Sequence, residues 1–600
     1  MRKQHLARIR LTLVLLGAAG VAAVLIAGLW SASGSVASSR AVDVFPVPGA
    51  QVAAPGSQIT FRGIPAGSLG TIVVTGSRSG NHSGQIRADS DGRGGSFIPS
   101  AQFTAGERVT VSTGLNVVGG SGGRFHFTVA TPAPPIPGAA PKPAPRVRGD
   151  ILRLATRRDL IPATVRVTKL PSHAGSGDLF VAPQNGPFQQ GPMILGPYGG
   201  LVWFQPVPKG LSATDFRVQA YRGRPVLTWW QGVVSHGGTG TGQDEIYDRF
   251  YRPVATVRAG NGLNSDLHEF EITPQSTALV TAYYAVYRNI RSGKKTSRRL
   301  ILDSVVQEID IPTGLVLYQW DSLDHVPVTD SRQPAPKNPG HPWDYFHLNS
   351  IQRDRDGNLV ISSRDAWAGY KISHQTGRIM WELGGKHSSF RMGANTTFAF
   401  QHDIRMRAHD RVTIFDDGAG PPAVEKQSRA LTLRLDFKHK TATVAAQAVH
   451  HPGLLAFYEG NLQTEPGGNE LVGWGQQPYL TEFNSHGQTV FDARFVGPNS
   501  SYRAYRFRWG GTPASPPAIA ARTSRGRTTV FASWNGSTSL ARWRVLAGAS
   551  PTTLKAVGSA GRGDFETTIR LRAPAKYVAA QALDGRGRAL GTSKTISAGS

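Results

Sequence analysis

The chain has 600 residues, no cysteine, and 66 Lys and Arg against 39 Asp and Glu, a formal charge of +27. The missing cysteine excludes disulfides, thiolate metal sites and cysteine nucleophiles, so stability must come from apolar cores, of which this length allows several. The basic residues are scattered, with no aromatic-interleaved basic helix and no zinc finger, which excludes a nucleic-acid reading head and leaves an anionic cell-envelope polymer as the nonspecific partner of the charge.

Residues 1–40 hold a basic tail with Arg2, Lys3, Arg8 and Arg10, an apolar run over 11–30, and a small polar stretch after it. Twenty helical residues span roughly 30 Å, the thickness of a bilayer core, and the basic flank stays inside. The expectation is a transmembrane helix serving as a single-pass anchor with the remaining domains outside the cell, or a secreted protein if the segment is cleaved.

Residues 41–130 alternate short β runs with Gly, Ser and Pro, the pattern of an Ig-like β-sandwich. Residues 131–149 read as an extended Pro-rich linker. A second Pro-containing break after Gly510 precedes residues 511–600, whose alternating runs predict a fibronectin-like β-sandwich. Neither flanking module carries a polar cluster with catalytic spacing, so both read as spacers or adhesion units.

The centre, 150–510, repeats itself. A turn leads into an apolar strand around Leu227, Leu279, Leu359, Val412 and Leu471, separated by 52, 80, 53 and 59 residues. A four-stranded propeller blade takes about 40–50 residues, with loops making up the excess. Five visible units and a ring closed from the two ends predict an all-β chain built on about six blades. The basic cluster from Arg288 to Arg299 reads as a solvated loop, and Trp203, Trp320 and Trp381 as blade packing. Asp354, Asp356 and Asn358 resemble the start of a calcium loop but lack its closing Glu, so a hairpin turn is expected there.

Three polar words stand among these strands: Trp343-Asp344-Tyr345-Phe346-His347-Leu348-Asn349-Ser350, Ser362-Ser363-Arg364 and Phe400-Gln401-His402-Asp403. Two imidazoles and a guanidinium suit an anionic substrate, combining a nucleophile or proton carrier with a fixed fork for oxyanions. With His268-Glu269-Phe270, Trp381-Glu382-Leu383-Gly384-Gly385, Ser428-Arg429, Gly473-Trp474-Gly475 and Ser501-Tyr502-Arg503, they occur over about 240 residues in an order that resembles the arylsulfotransferase family of exported β-propellers, in particular its actinomycete-type branch.

The resemblance implies a propeller whose central channel opens on the site, and transfer of a sulfuryl group from an aryl sulfate donor to a phenolic acceptor without nucleotide or other cofactor. It implies that His402 is transiently sulfated, with His347, Arg364 and His268 as further catalytic residues and Asn349 as a substrate-binding amide. The division of acid and base between His268 and His347 stays open, and Asp403 is one candidate to orient His402. Two other readings compete: a noncatalytic envelope-binding propeller and, more remotely, a quinoprotein-like dehydrogenase.

Overall fold

The computed structural model describes residues 41–142, 144–170, 177–292 and 294–599. The anchor expected at 11–30 lies outside them; among the described residues no helix is long and apolar enough to cross a membrane. The described chain is all-β, its one α-helix being the single turn Ser322–His325.

Asp43–Phe45, Ile59–Arg62, Gly94–Pro99 and Gly84–Ala88 form one four-stranded sheet, and Gly80–His82, Ile72–Gly76, Arg108–Thr113 and Arg124–Thr128 another. Both sheets contribute to one core containing Phe61, Val74, Val111 and Phe127. This module is docked on the centre of the chain: Thr60 Oγ1 donates to the Val316 carbonyl at 2.6 Å, and the Ser90 amide to Asp310 at 2.8 Å. At the other end, Ala518–Ser524, Arg527–Ser533 and Glu566–Arg570 face a second sheet around Arg542–Gly548 and Tyr577–Leu583 across a core with Trp543. Glu566 ties this module to the amides of Ala155 and Thr156.

Between them lie five sheets, one of ten strands; divided at its single Gly242–Ser265 bridge, that sheet makes them six mainly antiparallel arrays, whose first strands in chain order are Asp178–Gln184, Ser212–Tyr221, Ser265–Ile272, Leu348–Arg353, His402–Met406 and Asn461–Thr464. The late strand Ser500–Phe507 returns to pair with Asp178–Gln184, so the first array is completed from both ends of the region. Leu227, Leu279, Leu359, Val412 and Leu471 each lie on the second strand of their array. The 80-residue interval holds, besides the insertion before His347, a long hairpin of Ala278–Ser292 and Lys295–Ile309. Arg288, Arg291, Arg298 and Arg299 are therefore paired strand residues and not a loop.

An apolar cluster separates each array from the next: Phe180, Trp203 and Trp229 between first and second, then Ile246 with Val280, Trp320 with Ile351, Trp381 with Ile414, Phe415 with Trp474, and Leu471 with Leu179 between the sixth and the first. Every sheet is thus covered on both faces, which is why its strands read as near-continuous apolar runs. The turn at 354–358 is a hairpin closed by Lys371, whose Nζ sits 2.6 Å from Asp354 and 2.7 Å from Asp356. The lysine occupies the position a cation would take.

The first strands do not alternate cleanly. Register slips interrupt five of them, between Val181 and Pro183, Thr214 and Arg217, Ser265 and Phe270, Leu348 and Ser350, and His402 and Arg405. Asp215, His347 and Asp403 carry φ of 50°, 53° and 55° at or beside these slips, left-handed values uncommon for residues with a Cβ. A bulge inserts a residue and re-aims its neighbours, so side chains adjacent in sequence leave the strand in directions a regular pleat forbids.

Candidate active site

The slips build a buried ionic layer. Asp215 and Arg217 come from the second array, Glu269 from the third, Asp403 and Arg405 from the fifth, and Arg503 from the returning strand. Arg503 Nη1 lies 3.0 Å from Asp215 and 3.1 Å from Glu269, Arg405 Nε lies 2.7 Å from Asp403, and Arg217 and Arg405 both bind Glu269. The fourth array joins through the Asn349 and Ile351 carbonyls, which accept from Arg503 and Arg405, and the sixth through the Leu462 amide, which donates to Asp403. Burial pushes the Glu269 carboxyl up, but Arg405, Arg503 and Arg217 reverse this and hold it well below the usual range. Three cations and three anions thus tie together the first strands of the second to sixth arrays and the returning strand of the first.

A cavity of about 580 Å³ contains His268, His347, Arg364 and His402 in its wall, together with Tyr502 and Glu459. The four predicted catalytic side chains therefore meet in one place. The rings of His268 and His347 stand edge to face, 4.8 Å apart at 87°, and Tyr502 presents its ring at about right angles to both His268 (5.6 Å) and His402 (6.4 Å).

Each histidine is held by a carboxylate on Nδ1. His268 Nδ1 binds Asp266, His347 Nδ1 lies 2.6 Å from Asp344, and His402 Nδ1 lies 2.9 Å from Asp417. Asp266 and Asp344 also accept the backbone N–H of their own histidine, so each pair is a local turn of the chain. Asp417 comes from the end of the next strand, fifteen residues away. In all three rings the carboxylate leaves Nε2 for chemistry, and in His402 that nitrogen also accepts from the Glu459 amide.

Electrostatics separates the three. Burial, with Arg364, His347 and His268 nearby, drives His402 well below the ordinary imidazole value, so it is neutral. Burial also raises the Asp417 carboxyl, with Arg364 opposing. Geometry fixes the proton within this pair: the Glu459 amide donates to His402 Nε2 at 3.3 Å, which requires a lone pair there, so the ring proton is on Nδ1 and the Asp417 oxygen accepts it. Burial pulls His347 down, yet Asp344, by charge and hydrogen bond, and then Asp365 outweigh it and the net shift is upward. Burial prevails at His268, which is shifted downward despite Asp266.

Arg364 Nη1 lies 2.6 Å from Asp365, its Nη2 donates to the Phe457 carbonyl at 3.1 Å, and its guanidinium sits 4.8 Å over the Phe400 ring. Asp344, His347 and Asp365 bring ligand atoms within 4.8 Å of one another, as a metal would need. Those atoms already satisfy each other and Arg364, and the fixed guanidinium charge disfavours a second cation.

Two expectations change. Asn349 does not line the cavity: its Nδ2 donates to the Gln401 carbonyl at 2.7 Å, so it braces the chain beside His402. Asp403 does not orient His402, because its oxygens accept from Arg405 and from the Leu462 amide; the bulge turns it into the ionic layer. The sequence reading missed Asp266, Asp417 and Glu459 altogether and gave no role to Asp344 and Tyr502, although the last two stand in the words it quoted.

Residues 217–496 match the family model described as Arylsulfotransferase (ASST), a span that contains His268, His347, Arg364 and His402. This segment belongs to the arylsulfotransferase family. No curated protein matches the chain. Among solved structures, the chain carrying this arylsulfotransferase-family segment is similar to a protein of unknown function from Bacteroides caccae, at 13% identity over 55% of this chain and 98% of that one with a TM-score of 0.32. It is also similar to virginiamycin B lyase from Staphylococcus aureus, at 9% identity over 56% of this chain and 99% of that one with a TM-score of 0.27.

Proposed function

We propose that the chain is a nucleotide-independent sulfotransferase that moves a sulfuryl group from an aryl sulfate to a phenol through a sulfohistidine on His402. In this reading the six arrays are the blades of one propeller, the cavity is one mouth of its axial channel, and the ionic layer closes the channel behind it. Residues 11–30 would anchor the enzyme on the outer face of the cell membrane, where no nucleotide donor is supplied.

The observation that carries the reading is the convergence, within this family segment, of a neutral carboxylate-oriented imidazole, an imidazole shifted toward its cation, and a guanidinium. Sulfuryl transfer resembles phosphoryl transfer, with attacking and leaving atoms in line and charge spread over equatorial oxygens. The His402 Nε2 lone pair attacks sulfur as the bond to the aryl oxygen breaks. The proton on His347 Nε2 passes to the departing phenolate, so in this reading His347 is the acid. Arg364 stabilises the sulfuryl oxygens, and Asp417 stabilises the positive charge that develops on the ring. In the second half the acceptor phenol gives its proton to His347, its oxygen attacks sulfur, and the Nε2–S bond breaks. His268, held neutral, packs its ring against His347 and keeps it aimed.

Incubation with a chromogenic aryl sulfate and a phenol should release the chromophore. With donor alone, mass spectrometry should find an adduct of about 80 Da, one SO3, on His402. No turnover and no adduct would sink the proposal, and turnover that survives His402→Ala would sink the nucleophile.

A further inference from the structure

One wall of the cavity is not made by the six arrays. Residues 139–142, from the Pro-rich segment joining the N-terminal sandwich to the centre, line it together with the histidines. They are fastened there and not merely passing. Gly138–Ala139 pairs with Arg224–Ser235, the Ala133 amide donates to Ala285 at 2.8 Å, the Tyr287 amide to Thr131 at 2.9 Å, and the Ala144 amide to Asn185 at 2.7 Å. Gly138 is required by this fit: a Cβ there would stand 2.4 Å from Val233 Cγ1. The expected linker is therefore a strap clamped on both sides of the site.

The strap carries Lys142, exposed at the rim. The other lining cations are committed, Arg364 to Asp365 and His347 to Asp344. Among the described residues no carboxylate lies within ion-pair distance of Lys142. The same cavity is lined by Tyr458, 42% exposed, and by Glu459, whose carboxyl burial pushes up to about 8 and which therefore adds no negative charge at neutral pH. An aromatic face and an unpaired ammonium thus share the entrance to a site for sulfate esters.

We propose that Lys142 binds a second negative charge on the aryl substrate, so that the site prefers phenols and aryl sulfates that carry a distal anionic group, such as a carboxylate or a second sulfate, with the ring against Tyr458. This rests on the sulfuryl-transfer reading for its turnover and on the strap geometry alone for its binding.

The test uses the full chain with 4-hydroxybenzoate and 4-methylphenol as acceptors. Lys142→Gln should lower the ratio of kcat/KM for the carboxylated over the neutral acceptor about 5-fold, the upper end for an ion pair open to solvent, and Lys142→Arg should restore it. An unchanged ratio overturns the proposal. Calorimetric binding of both compounds to His402→Ala reads recognition without turnover. If 4-hydroxybenzoate binds no tighter than 4-methylphenol, the proposal falls even where transfer stands; if it binds tighter and loses that advantage with Lys142→Gln while no transfer is seen, recognition stands and the transfer reading falls. Repeating both measurements with a phenol bearing a sulfate ester in place of the carboxylate separates the two sources of charge.

Discussion

Asp417 lies 2.9 Å from Nδ1 of His402 and, together with the Glu459 amide that donates to Nε2, fixes that ring's proton on the side away from sulfur. The pair is positional as much as electrostatic, since the opposite tautomer would present an N–H to the substrate and no lone pair. Asp417→Asn keeps the shape but offers an amide in place of a carboxylate. The expected result is a loss of turnover of roughly 10⁴-fold, the cost of the wrong tautomer in a comparable His–Asp pair, with the fold intact by circular dichroism. A loss below about tenfold would show that Asp417 does not set the tautomer.

How much of this was open to sequence reasoning differs from residue to residue. His347, Arg364 and His402 stand in polar words against an apolar background, so their convergence was legible. Asp344 and Asp266 lie three and two residues before their histidines and had a local signal that went unread. Asp417 had none, because its pairing with His402 depends on the register of two adjacent strands. The role of Asp403 was misjudged for the same reason in reverse: alternation along a strand is a sound rule, but the bulge after His402 suspends it. The five Leu and Val positions marked the arrays because buried second strands repeat, whereas the strap over the cavity is invisible in a segment whose composition says only extended.

Opposite shifts at His402 and His347 set the pH dependence. The reaction needs His402 unprotonated and His347 protonated. Activity therefore rises as pH passes through the His402 value, below that of ordinary imidazole, and falls as pH passes through the His347 value, above it. The profile of kcat/KM should be a bell whose plateau spans the ordinary imidazole value, between the two shifted groups. In Asp344→Asn the main force raising His347 is gone and burial prevails, so the alkaline limb should move down by about one pH unit or more while the acid limb stays. A shift of both limbs together would mean that the limbs do not belong to these two residues.

Glu269 is the hub of the ionic layer, bonded to Arg217, Arg405 and Arg503. Glu269→Gln leaves three buried guanidinium groups with one carboxylate fewer. Removing one partner from a buried ion cluster costs about 3–5 kcal/mol, because the remaining charges stay desolvated. Denaturant unfolding should show a loss of that size. Because the native carboxyl is held below its unfolded value, its contribution is present at neutral pH and is lost as pH falls through the folded value. The difference between wild type and variant should accordingly shrink in strong acid and be constant from pH 6 to 8.

Gly420 tests whether Arg364 must sit where it does. A Cβ at this position would stand 2.6 Å from Arg364 Nη2 and 2.5 Å from the Phe400 ring on which the guanidinium rests. Ring and guanidinium cannot both stay, and the flexible arginine is the one that yields. Gly420→Ala should therefore lower kcat by about 100-fold, the effect of displacing a positioned group by an ångström, without replacing any residue that meets the substrate. Arg364→Lys separates charge from geometry: a lysine keeps the charge but lacks the planar fork for sulfuryl oxygens and for Asp365. If the two variants lose activity to a similar degree and the double variant loses little more, the alanine acts through Arg364. Additive losses would place the effect of Gly420 elsewhere, on Phe400 or on the loop that carries it.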